Sequence, residues 1–233
     1  MMGALLRYQT AILLRSHRWI LPLLAYTVLT VAGAASVTPL REGLGWSAAM
    51  LVPAVALLTR SMLTAEPDSM RACAAAASGP ARAQLATLLT ALAGGAVLAL
   101  GGAAFEVLSD ESVAGHPLPT VGNRIAGTFA HPGVLAAGLG AALICLFVGA
   151  AAGTLCNPPL LRHPASALLA TAAAVVVALA AGVSPANAAL RGESAGPPVS
   201  AWPGPVPFIA AAALLTATWT ASVIAATRRA AAP

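Results

Sequence analysis

Few side chains in this protein are equipped to do chemistry. Those able to carry protons or bind metals are seven carboxylates, four histidines and three cysteines. His17, His116, His131 and His163 stand singly. They form no HExxH zinc helix, and none lies within an apolar stretch, as a haem-holding pair would require. Cys73, Cys145 and Cys156 are odd in number and make no CxxC, so neither a disulfide framework nor a thiolate metal site follows. They read as small buried apolar residues. All twelve basic residues are arginine. Without lysine there is no Walker A loop and no Schiff-base chemistry, and no cofactor is expected on this chain. Glu106 is the carboxylate closest to the interior of an apolar stretch. Its two readings are an interfacial residue beside Ser109 and Asp110, or an intramembrane acid.

These groups are set among long apolar runs. Of 233 residues, 59% are hydrophobic and 8% charged, and mean hydropathy is +0.85. A soluble domain carries about 25% charged residues. The composition therefore excludes an ordinary soluble enzyme, a disordered tail and a secreted disulfide scaffold. Six stretches, near 19–37, 44–63, 85–107, 134–155, 165–183 and 208–226, approach the ~20 residues that cross a ~30 Å hydrocarbon core. The second contains Pro53 and Arg60, and that arginine must snorkel to an interface. The expected fold is an all-α polytopic membrane protein, one transmembrane domain over residues 1–233 with six transmembrane helices.

Net charge is +5 and the isoelectric point about 10.1. Because the arginines flank the apolar runs, the charge points to topology and anionic lipid rather than nucleic acid. Counting from an inner N-terminus, inner segments hold Arg7, Arg15, Arg18, Arg60, Arg71, Arg82, Arg162, Arg228 and Arg229. Outer segments hold Arg41, Arg124 and Arg191. The positive-inside rule then gives N-in and C-in. The first run is too long for a signal-peptide core, and removing it would worsen this pattern. Residues 108–131 and 184–207 become extracellular loops. Abundant Ala, Arg, Gly and Pro suggest a high-GC bacterial genome, hence a bacterial cytoplasmic membrane.

Residues 1–18 form an amphipathic segment. Leu5, Leu6, Tyr8, Ile12 and Leu13 share one broad helical face, and Arg7, Arg15 and Arg18 occupy an arc opposite. Such a helix should lie in the inner interface. Residues 64–80 are the one inner connection with helix punctuation. Pro67 suits the first helical position, Glu66 and Asp68 sit at the positive end of the dipole, and Ala72 to Ala77 favour helix. Gly79 and Pro80 end it. Glu66, Pro67, Asp68, Arg71, Ala74, Ala75 and Ser78 are candidate contacts to a partner. Thr216, Trp219 and Thr220, at i, i+3 and i+4, make a stripe suited to a pathway or to helix packing. Gly149 and Gly153 make a GxxxG that permits close helix contact.

Taken together, the segment Leu5 to Arg18, the six-span layout, the Glu66-Pro67-Asp68 helix running to Gly79-Pro80, and Arg82 opening the third span resemble the permease subunits of type-2 ABC transporters. The resemblance implies an exporter permease whose residues 64–80 are the coupling helix and whose N-terminal helix is the interfacial elbow. It implies a separate ABC ATPase subunit that binds ATP and Mg, and a second permease that is a copy or a paralogue. The alternatives from the residues alone are a non-transport membrane scaffold or an intramembrane enzyme. The topology has a direct test. Cysteines placed at Ser112 and Ser200 should label from outside intact cells, and one at Ser69 only after permeabilisation. Labelling of Ser112 from inside would overturn the arrangement.

Overall fold

The computed structural model describes residues 2–34, 40–109, 132–156, 164–194 and 204–230. The expected loop over 110–131, the inner turn at 157–163 and residues 195–203 lie outside the described residues. Of the described residues 93% are helical, and no strand occurs among them. The helices are α1 (Met2–Ser16), α2 (Ile20–Ala34), α3 (Leu40–Ala65), α4 (Asp68–Ser78), α5 (Pro80–Ser109), α6 (Pro132–Leu155), α7 (Pro164–Ala180), α8 (Pro185–Ser194) and α9 (Pro205–Ala230). Helices α5 to α9 each open on a proline, whose missing N–H costs nothing in a first turn. Gly79 and Gly204 precede two of these prolines with φ of 88° and 94°, a conformation other residues adopt only at a steric cost.

Five stretches are long and apolar enough to cross a membrane: Leu40–Ala65, Pro80–Ser109, Pro132–Leu155, Ser166–Arg191 and Pro205–Arg228. The fourth takes in α7, the turn at 181–184 and the start of α8. Helix α2 is apolar, but its 15 residues span only about 22 Å. Helix α3 runs through Pro53 without a break. The backbone bond lost there is tolerable because neighbouring helices enclose that part of α3. Arg60 is half-buried, not fully exposed.

The centre of the bundle is the α3–α6 pair, with α5 and α9 packed beside it. Leu51, Val52, Val55, Ile144 and Leu146 are almost completely buried there. The GxxxG of α6 is the seam of this pair. A Cβ at Gly149 would lie 2.7 Å from the Val52 carbonyl oxygen, and one at Gly153 2.8 Å from that of Ala56. Polar contacts are few. The Gln84 amide donates to Ser222 Oγ at 2.8 Å, joining α5 to α9, and Trp46 Nε1 donates to the Leu29 carbonyl at 2.9 Å, joining α3 to α2. Thr30, Thr87, Thr90 and Thr171 satisfy their hydroxyls on the carbonyl four residues back. At the periphery, Leu21, Leu24 and Val28 of α2 and Leu169, Val176 and Val177 of α7 are exposed, as suits lipid-facing helices.

One expected loop is partly structured. Within residues 184–207, read from the sequence as an extracellular loop, α8 occupies the first part. Ser184 and Pro185 open it, its buried Ala186 and Ala189 let it lie close, and it packs against α3, α6 and α9. The α3–α6 seam yields a stability prediction. Gly149→Leu and Gly153→Leu should each cost about 1–3 kcal/mol or more, because overpacking here meets backbone, not a movable side chain. Gly101→Leu, in open space, should not destabilise and should gain up to about 1 kcal/mol from the better helix former. Thermal unfolding followed by size-exclusion recovery in detergent measures all three.

Candidate functional site

The two segments singled out as amphipathic and as punctuated meet at one corner of the bundle. Helix α1 ends at His17, whose φ of 54° turns the chain sharply into α2. That turn carries Arg18 to the end of α3, where its Nη1 donates to the Thr64 carbonyl at 2.8 Å. From the other side, Arg71 Nη2 donates to the Leu63 carbonyl at 2.6 Å and to that of Glu66 at 3.3 Å. The last carbonyls of a helix have no intrahelical partner and carry its negative dipole end. Two guanidinium groups from separate elements supply both the donors and the opposite charge.

Glu66 is the centre of the corner. It was expected to meet basic groups on a partner, but it is 8% exposed and turned inward. Tyr8 Oη donates to its Oε1 at 3.1 Å, and Gln9 Nε2 to its Oε2 at 3.4 Å. Gln9 itself is 1% exposed. A carboxylate removed from water needs such donors. Burial, followed by the hydrogen bond and charge of Glu66, pushes the Tyr8 phenol above its ordinary value of 10.0. The phenol is therefore a donor at any pH near neutral. Its contribution is fully present below pH 10 and fades as pH climbs through the raised value.

Helix α4 is a separate rigid piece between α3 and α5. Pro67, expected at the first helical position, is instead the N-cap, and Asp68 begins the helix. The N–H of Arg71 closes the first turn on the Pro67 carbonyl, and the Gly79 N–H closes the last on Ala75. Gly79 then accepts from Ala83, the first turn of α5. Arg71, Ala74, Ala75 and Ser78 lie on the half-buried side of α4, and Ser78 Oγ donates to the Ala74 carbonyl. The outward face is Ser69, Met70, Ala72, Cys73, Ala76 and Ala77. Arg7 and Arg15 are exposed on α1.

The stripe on α9 does not form one face. Thr216 and Thr220 point outward, with hydroxyls bonded to their own helix, whereas Trp219 turns toward the core. Its indole N–H is buried without a partner. The buried polar groups of α9 are Thr218 and Ser222. Glu106 is buried within α5, 5% exposed, with Oε1 unpartnered and Oε2 over Gly43 of α3. It packs into the α3–α5 contact three residues before the end of α5. The small residue opposite it was the only sequence signal. No group of metal-binding residues occurs among the described residues.

The corner makes a measurable prediction. Tyr8→Phe should cost about 0.5–1.5 kcal/mol, equally at pH 7 and pH 9. Glu66→Ala should cost about 1–3 kcal/mol by leaving the Gln9 amide buried without an acceptor. In a double-mutant cycle on unfolding, the two should be non-additive by at least about 0.5 kcal/mol. Additive costs would mean that the bond does not tie α1 to α3.

No family model matches the chain, and neither does any curated protein or solved structure.

Proposed function

We propose that this chain is the membrane-spanning permease subunit of an ATP-driven exporter of the type-2 ABC class, in a bacterial cytoplasmic membrane with both termini inside. In this reading two permeases form the pathway, and a separate ATPase subunit, holding ATP and Mg, drives it through α4. The observation that supports it best is the construction of the α1–α3–α4 corner. Helix α4 is joined to α3 by two residues and to α5 by one, and arginines and Glu66 brace that junction. A load placed on such a helix moves both neighbours as rigid bodies, whereas a loop would absorb it. The scarcity of ionisable groups within the spans fits an engine supplied by another chain better than ion coupling, which needs polar midplane sites.

Ala72, Ala76 and Ala77 on the outward face of α4 are small, so a partner can approach them closely. Ala72→Arg and Ala76→Arg lie on that face and leave the bundle core untouched. A guanidinium desolvated there without a counter-charge should weaken assembly with the ATPase at least about tenfold. Glycines at Ala74 and Ala75 should soften α4 by about 1 kcal/mol each and uncouple ATPase stimulation with assembly retained. The measurement is co-purification of the ATPase together with its substrate-stimulated turnover. The chain purified alone should show no ATP hydrolysis. Arg variants that assemble and stimulate like the unaltered protein would make α4 a plain connector.

A further inference from the structure

Between α1 and α4 lies a groove that neither helix fills: the Tyr8–Glu66 bond holds α1 to the α3–α4 connection, and α1 and α4 do not pack on one another. One part, about 420 Å³, is lined by Leu5, Tyr8, Ser69, Met70, Cys73 and Ala74. The adjoining part, about 300 Å³, shares Tyr8 and Met70 and continues past Ile12 and Pro67 to Arg15. Met70 is 54% exposed along its floor. The lining is apolar over most of its length and cationic at one end. Among the described residues, no protein group engages the Arg15 guanidinium. Arg7 adds positive charge along the same helix, and α1 itself contains no acid.

We propose that this groove holds one anionic phospholipid of the leaflet against which α1 lies, with an acyl chain along Leu5, Ile12 and Met70 and its phosphate on Arg15. The assignment rests on the interfacial placement of α1, which belongs to the reading above, and not on the ATPase. An apolar trough ending in a single cation matches the outline of an amphiphile. Guanidinium recognises phosphate oxygens in bidentate fashion. A soluble anion would gain nothing from the apolar part, and a zwitterionic lipid would bring its own cation to Arg15. The bound chain would fill the space between α1 and α4, so the corner would be braced by lipid as well as by Tyr8 and Glu66.

Cys73 reports on the site directly, being exposed in the groove while Cys145 and Cys156 are buried. The full chain is reconstituted in nanodiscs of phosphatidylcholine alone or with phosphatidylglycerol, and Cys73 labelling by a polar maleimide is timed. Phosphatidylglycerol should slow labelling about fivefold or more, the discrimination one arginine near a membrane surface provides. Arg15→Gln should abolish that difference, and Arg7→Gln should leave most of it. Native mass spectrometry should show one retained phosphatidylglycerol that Arg15→Gln loses. Equal labelling in both lipids, or slowing that survives Arg15→Gln, would overturn the site. So would slowing seen only when an ATPase subunit is added, since the groove would then be a protein contact. A spin label at exposed Thr10 that stays in water in both lipids would instead overturn the placement of α1 itself.

Discussion

The closeness of α3 to α6 is the constraint from which the other positions follow. Inside a bilayer, apolar side chains gain nothing by leaving lipid for one another, so helices associate through tight packing and a few hydrogen bonds. Gly149 and Gly153 let the α6 backbone lie against the carbonyls of Val52 and Ala56. That contact buries one long face of α3 and fixes its axis. Helix α5 then packs on α3, and α9 closes over α5 and α6, where the Gln84–Ser222 bond adds a directional contact. Helices α2 and α7 sit outside this set and keep much of their apolar surface exposed.

Fixing α3 also fixes its carbonyl end, and the polar corner is built on that end. Three elements contribute: Arg18 from the α1–α2 turn, Arg71 from α4, and Tyr8 with Gln9 from α1. The electrostatics are self-consistent. The dipole end of α3 takes the guanidinium groups, while the buried Glu66 carboxylate takes neutral donors, one on each oxygen. A full ion pair at Glu66 would have meant desolvating a second charge, a cost that often exceeds the attraction regained. Neutral donors hold the carboxylate with less to lose when the surroundings shift.

The helices were legible because their signals are local. Proline openings, Gly-Pro punctuation and apolar length mark nearly every boundary of α4, α5, α6, α7 and α9. The amphipathic α1 and the punctuated α4 were likewise readable one at a time. That they meet through Tyr8 and Glu66, residues 58 apart, was not. Nothing in either segment specifies the other, because the pairing depends on where α3 ends in space. The same limit explains Glu66, read from the sequence as a candidate partner contact at the start of α4 and turned inward by the corner. It explains the stripe on α9 as well: spacing put Thr216, Trp219 and Thr220 together, yet rotation of the helix about its axis divides them between core and surface. Glu106 was ambiguous for a related reason, since burial came from Gly43 on another helix.

The distribution of polar groups bears on how such a molecule would work. An enzyme concentrates reactive groups in a cleft, with a base near a nucleophile or a metal. Among the described residues, the polar cluster at this corner consists of arginines on backbone carbonyls and a carboxylate on neutral donors, an arrangement suited to holding geometry. It stands where α3, α4 and the N-terminal helix converge, and α4 leads directly into α5. A brace at the junction of two long helices has mechanical consequences only if something acts on the junction. In the proposed exporter that agent is the ATPase, pressing on the small outward residues of α4. Movement of α4 would then reach α3 through the Leu63 and Glu66 carbonyls held by Arg71, and α5 through Gly79. Because α3 is locked to α6 by the glycine seam, the displacement would pass to the centre of the bundle and not be lost at its edge.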